Sequence, residues 1–160
     1  MPTYTPPLRD MQFVMHELLK VCDDFKAIPR HADIDAETID AVLEQAGKFA
    51  SEVALPLNIS GDQQGCTIDP KTHAVTAPKG FKEAYAQFVA NGWPALSCDP
   101  EFGGQGLPLV VNQCLYEMLN STNQAWTMYP GLTHGAYAAL HAYGTDAQKQ
   151  TYLPKLVSGE

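Results

Sequence analysis

Two histidines, three carboxylates and a glycine-rich turn are the groups in this chain whose spacing could carry chemistry. His134 and His141 are seven residues apart and so share one face of a helix. Two imidazoles do not complete a zinc site, and no Cys or carboxylate stands four residues from either. They read better as core or interface side chains, with a small metal-binding bundle as the weaker alternative. Asp99, Glu101 and Glu117 are candidate carboxylates in or beside a stretch otherwise poor in charge. Any of the three, if buried, could act as a base, but Asp99 and Glu101 belong to a turn and Glu117 reads as facing water. The turn itself, Asp99-Pro100-Glu101-Phe102-Gly103-Gly104-Gln105-Gly106, invites a nucleotide-loop reading. It has neither the G-x-G-x-x-G spacing of a dinucleotide fingerprint nor the lysine of a P-loop, so a tight inter-helix turn is expected. Hydrolase triads are recognised in space, and spacing alone justifies none here.

A second kind of signal is the absence of charge. From Phe102 to Thr145 the one formally charged residue is Glu117. Exposed helix faces need charge to stay soluble, so this stretch is expected to be covered on more than one side, by its own core and by a partner, domain or ligand. One central helix pair in a small bundle is the plainer alternative. Within the stretch, residues 126–133 (Trp-Thr-Met-Tyr-Pro-Gly-Leu-Thr) form the densest apolar-aromatic cluster. A bend at Pro130-Gly131 beside aromatic walls suits a pocket lining, and equally a helix-to-helix core corner.

The elements that would hold these residues follow from composition and period. The chain has 160 residues, 45 % hydrophobic and 18 % charged, which supports a real core and excludes a disordered chain. Ten Lys and Arg against 18 Asp and Glu give a formal net charge of −8, a poor match for nucleic acid or an anionic membrane. Four scattered cysteines without a C-x-x-C pair are expected to be reduced thiols. The N-terminus lacks the regions of a signal peptide, and no apolar run is long enough to span a bilayer. Together these predict a cytoplasmic location.

Helical periodicity predicts an all-α class. A first amphipathic helix is expected over about Arg9–Cys22, and a second from Ala36 to Leu55, capped by Asp33 or Asp35 and ended by Pro56. Residues 58–78 lose the period, and Thr67-Ile68 with Ala74-Val75-Thr76 predict a small hairpin. A third helix around Phe81–Val89 stops at Asn91-Gly92. A fourth opens at Pro108, a fifth runs from Gly131 to Tyr143, and a short sixth opens with the capping box Thr145-Asp146-Ala147-Gln148 and breaks near Pro154.

The turn and the stretch that follows it also resemble a known family. The residues Pro100-Glu101-Phe102-Gly103-Gly104-Gln105-Gly106 are similar to a turn of the acyl-CoA dehydrogenases. Further on, Gly144-Thr145-Asp146-Ala147-Gln148-Lys149-Gln150, Tyr152-Leu153-Pro154 and Ser158-Gly159-Glu160 resemble the family's next signature, in the same order. The opening Tyr4-Thr5-Pro6-Pro7-Leu8-Arg9-Asp10-Met11-Gln12-Phe13 is similar to the extra N-terminal segment of a long branch that includes the 3-methylthiopropanoyl-CoA dehydrogenases.

The resemblance implies the family's N-terminal helical domain, with residues 1–34 as an extension helix and 35–160 as the domain proper. By the same implication the middle β domain and C-terminal bundle lie beyond Glu160. It implies a flavoenzyme using FAD to form a 2,3-double bond in an acyl-CoA, with the catalytic carboxylate outside this chain. Electron-transfer flavoprotein or another acceptor, and a homo-oligomeric assembly, belong to the same implication. By family position Trp126, Thr127, Tyr129, Pro130, Leu132 and Thr133 are the expected wall of the acyl pocket, with Trp126 and Tyr129 shortening it. The chain alone is expected to be inactive. A free-standing helical interaction module is the alternative from another class.

Overall fold

The computed structural model describes residues 3–160, and these are almost entirely helical. The elements are α1 (Leu8–Gln12), α2 (Val21–Lys26), α3 (Ala36–Phe49), α4 (Pro56–Gln64), the strands β1 (Thr67–Ile68) and β2 (Val75–Thr76), α5 (Phe81–Ala90), α6 (Leu109–Tyr143) and α7 (Asp146–Ser158). The all-α expectation holds, and the antiparallel hairpin pairs Thr67 with Thr76 and Ile68 with Val75 as the only sheet among the described residues.

Caps behave as their residue types demand. Asp35, rather than Asp33, starts α3 by accepting the Thr38 N–H at 2.8 Å. Thr145 and Gln148 close both halves of the capping box on α7.

Prolines and helix breaks depart from the expectations. The first amphipathic segment is not one helix: a π-helical turn over Phe13–Leu18 follows α1, and the chain breaks at Lys20, whose φ is 52°. Pro56 does not end the second helix. The backbone widens into a π-turn over Ala50–Ala54, where Leu55 N–H donates to the Ala50 carbonyl five residues back, and α4 continues from Pro56. Such a widening accommodates a residue that has no N–H to donate. Pro154 likewise lies inside α7 without breaking it.

The expected bend at Pro130-Gly131 is also displaced. Pro130 is helical, and the break in α6 falls at Asn123, with φ −157° and ψ 82°. Asn123 caps the second half of the helix by accepting the Trp126 N–H at 3.0 Å, and its Nδ2 donates to the Ala54 carbonyl at 3.1 Å. A buried amide that satisfies two backbone groups from two helices fixes the kink where a proline inside a helix does not.

The main core gathers around Trp126, which is 0 % exposed. Its ring lies 5.8 Å from that of Phe49 and 5.5 Å from that of Phe88, and its Nε1 donates to the Phe81 carbonyl at 3.2 Å. Val111, Leu115, Met118 and Leu119 from the first half of α6 complete it. A smaller cluster of Cys98, Phe102, Tyr137, Leu153 and Val157 ties α7 and the glycine turn to the second half of α6.

Candidate functional site

The second half of α6 and the start of α5 enclose an open, mostly apolar groove of about 640 Å³, within the range of small-molecule sites. Phe81 and Tyr85, one turn apart on α5, form one wall; Met128, Tyr129, Leu132 and Thr133 on α6 form the other. Phe81 meets Tyr129 edge-on, with ring centroids 6.4 Å apart at 89°. Met128, Tyr129 and Leu132 remain 50 %, 46 % and 69 % exposed, an unusual state for three large apolar side chains on one helix face. Burial pushes the Tyr129 phenol above its ordinary pKa, so it is a neutral donor at physiological pH. Thr133 donates back to the Tyr129 carbonyl at 3.3 Å. Lys82, beside Phe81, brings one cation to the rim.

Of the six residues expected to line a pocket, Tyr129, Leu132 and Thr133 reach this groove. Trp126 does not: it is sealed at the centre of the core. Thr127 is buried too, its hydroxyl donating to the Asn123 carbonyl at 2.8 Å. Pro130 turns toward Tyr116 and His134, around a void of about 10 Å³ that is no larger than one water. Helix phase explains the split: 129 and 132 turn outward to the groove, 126, 127 and 130 lie further round on the side turned into the domain, and Thr133, half-buried, sits at the border between them. Met128, part of the same cluster though not among the six, joins the lining, as do Phe81 and Tyr85 of α5. The i, i+4 aromatic pair on α5 is the signal that could have found the last two.

The other candidate residues form a positioning network. Tyr116, His134, Tyr137 and His141 stack in sequence, with centroid spacings of 6.0, 6.3 and 5.4 Å. Burial lowers the His134 pKa below the ordinary histidine value. His141 Nε2 lies 3.2 Å from Asp99 Oδ2, and the Tyr137 hydroxyl accepts the Asp99 N–H at 2.7 Å. Asp99 is held below the usual carboxylate range first by the Glu101 N–H and then by His141. Both histidines are stacked between tyrosines or against them, His141 also hydrogen-bonding Asp99, and among the described residues no group of His, Cys, Asp and Glu is arranged for a metal ion. Glu117 is exposed.

The glycine turn spends its backbone donors internally. Gly103, Gly104, Gln105 and Gly106 donate to the carbonyls of Pro100, Asp99, Ala95 and Cys98 at 2.8 to 3.1 Å. A Cβ on Gly104 would collide with the Cys98 carbonyl, which is why this close approach needs glycine. No N–H nest remains for a phosphate, so the turn is structural, as its spacing predicted.

Sequence comparison settles the family. The profile of the acyl-CoA dehydrogenase N-terminal domain matches residues 36–160. The chain belongs to the acyl-CoA dehydrogenase family. It is 40 % identical over 98 % of its length to a 3-methylmercaptopropionyl-CoA dehydrogenase of Ruegeria pomeroyi, covering 26 % of that protein. It is 30 % identical over 94 % of its length to a broad-specificity linear acyl-CoA dehydrogenase of Mycobacterium tuberculosis, covering 24 % of it. With a butyryl-CoA dehydrogenase of Syntrophomonas wolfei the identity is 31 % over 98 % of the chain and 26 % of the relative. The chain therefore spans about a quarter of the length of these acyl-CoA dehydrogenases. The family is one of flavin-dependent oxidoreductases, and the helical architecture is that of its N-terminal domain. Among the described residues no helix is long and apolar enough to cross a membrane.

Proposed function

We propose that this chain supplies one wall of the acyl-binding site of a complete acyl-CoA dehydrogenase, which forms a double bond between C2 and C3 of an acyl-CoA thioester. The apolar groove on the charge-free half of α6 carries the reading, in a chain whose relatives are acyl-CoA dehydrogenases. When bound, FAD supplies hydride acceptance in this reaction. The glycine turn does not fit a flavin pyrophosphate, since its N–H groups are already donated, and no step is assigned to this chain through the flavin.

What these residues do is bind and exclude. Tyr129, Leu132, Met128 and Phe81 take the aliphatic tail out of water, at about 0.8 kcal/mol per methylene buried. That burial also keeps water from the carbons between which the bond forms. The removal of the α-proton falls to a carboxylate outside this chain, so the 160-residue protein has no turnover of its own. Electron-transfer flavoprotein as acceptor, homo-oligomeric assembly, residues 1–34 as a separate extension, and a cytoplasmic location belong to the same proposal.

The test is a chain-length series on the full-length enzyme. Tyr129→Ala and Leu132→Ala should raise kcat/KM for longer acyl-CoAs relative to short ones, by up to about fourfold per added methylene. An unchanged preference removes both residues from the pocket. Flavin bound stoichiometrically to the 160-residue chain, with turnover, would overturn its inactivity.

A further inference from the structure

The segment ahead of α3 is held to the domain by one apolar face and leaves a second one uncovered. Met11, Met15, Val21 and Phe25 join the main core, and His16 Nε2 lies 2.9 Å from Asp40 Oδ1 on α3. On the outer side Phe13, Val14, Leu18 and Leu19 are 46 %, 41 %, 64 % and 55 % exposed. They sit on the π-helical turn, where the Leu19 N–H donates to the Val14 carbonyl at 2.9 Å. The wide turn brings residues five apart together, so Phe13 stands beside Leu18 and Val14 beside Leu19, and the four make one patch. Arg9 closes an edge of it, with its guanidinium 5.7 Å from the centre of the Phe13 ring and 2.7 Å from Glu17 Oε1.

A helix packed on a domain by one face ordinarily carries polar residues on the other, and a helix apolar all round is covered on both sides. α3 follows the ordinary pattern, with Glu37, Glu44 and Lys48 exposed. The segment ahead of it does not. An apolar centre with an Arg–Glu pair at its rim is the make-up of an interface.

The lengths of the relatives say what covers it. The domain profile starts at residue 36, so the patch lies ahead of it. Relatives that match 98 % or 94 % of the chain reach into this segment, and they are long: 157 matched residues are 26 % of the Ruegeria pomeroyi protein, which makes it about 600 residues. An isovaleryl-CoA dehydrogenase of Bos taurus matches 51 % of the chain, and 87 residues are 20 % of it, which makes it about 435 residues. The segment ahead of residue 36 supplies only about a fifth of that difference. The long relatives therefore carry a further part that the short one lacks. Four side chains make a small patch beside the roughly 800 Å² per partner of a stable complex between separate molecules. A contact within one chain needs less area, because its two sides are held at high effective concentration.

We propose that the patch of Phe13, Val14, Leu18 and Leu19 is the docking surface for this additional part of the full-length polypeptide, which the segment joins to α3. The inference rests on the reading of the chain as one part of a complete acyl-CoA dehydrogenase, and on no residue of the acyl groove.

The test places the photo-crosslinking residue p-benzoylphenylalanine at position 18 of the full-length enzyme and maps the products by mass spectrometry. Crosslinks should fall within the same chain, in residues that the short relatives lack. Crosslinks confined to residues 1–160 or to the part shared with the short relatives overturn the proposal, as does the absence of any product. So do crosslinks to a second copy, recognised by mixing nitrogen-15-labelled and unlabelled enzyme. Leu18→Glu should open the additional part to a protease at least about tenfold faster, since an unpaired carboxylate does not dock on an apolar surface, and Leu18→Met should not. An unchanged cleavage rate in Leu18→Glu overturns the proposal as well. Acyl-chain preference is read on groove residues alone, so a failure here leaves the acyl-groove reading standing.

Discussion

The two halves of α6 are nearly equally poor in charge and put that poverty to opposite uses. From Leu109 to Thr122, Val111, Leu115, Met118 and Leu119 are sealed inside the domain. Beyond the Asn123 break, Met128, Tyr129, Leu132 and Tyr143 are left open, Tyr143 at 91 % exposure. A missing charge therefore marks a surface that must be covered, without saying whether the cover is the domain's own core or something that arrives later. The Asn123 break sets the phase of the second half, which keeps Trp126 in the core and turns Tyr129 and Leu132 toward the groove.

The largest expected effect separates the inner from the outer face of the second half. Trp126→Ala removes the centre of the core and an indole hydrogen bond, and should cost about 3–5 kcal/mol in a denaturant titration. Leu132→Ala, further along the same helix, should stay within about 0.5 kcal/mol of the parent. Asn123→Ala should fall between them, at about 1–3 kcal/mol, because the Ala54 carbonyl and the Trp126 N–H lose a buried partner.

A smaller effect sharpens the same contrast. Met128, Tyr129 and Leu132 are exposed together along the groove, so the isolated chain should bind a hydrophobic dye. Leu132→Ser should reduce that signal, whereas Leu115→Val, inside the core, should not.

Acid should weaken the stacked ladder next. His134 has a pKa below its unfolded value of about 6.5, so the stability it contributes is present above that pH. It is lost as the pH falls below about 6.5 toward the folded value, because the unfolded chain then takes up the proton more readily. His31, depressed first by burial and then by the neighbouring Arg30, acts in the same direction. Asp99, depressed from the carboxylate range, adds a further loss only below about pH 4. Stability measured from about pH 7 to 5 should fall less steeply in His134→Gln.

The smallest effect is a rate. Cys66 is exposed, while Cys98 is buried with its thiol pushed up to about 11 by desolvation. A thiol reagent should label Cys66 in the folded chain and reach Cys98 only on unfolding.

Much of this architecture is legible in the residues. Capping at Asp35 and Thr145, the hairpin at Thr67 and Thr76, and the structural nature of the glycine turn follow from local chemistry, which a sequence records directly. The prolines mislead, because Pro56, Pro130 and Pro154 are accommodated by surrounding backbone that no local rule describes. Asn123 escapes notice for a related reason: its two partners are 69 residues and 3 residues away, and only the fold brings them together. The groove is half legible. The cluster around Tyr129 stands out by composition, but its inner and outer faces separate only once the helix phase is fixed by the kink.

The most direct test fills the groove. In the full-length enzyme, Leu132→Trp places an indole on the open face of α6 without entering the core. kcat/KM should then drop for long acyl-CoAs and hold for the shortest ones, with stability unchanged. A profile lowered equally at every chain length, or not lowered at all, would contradict the claim that this half of α6 faces the acyl tail.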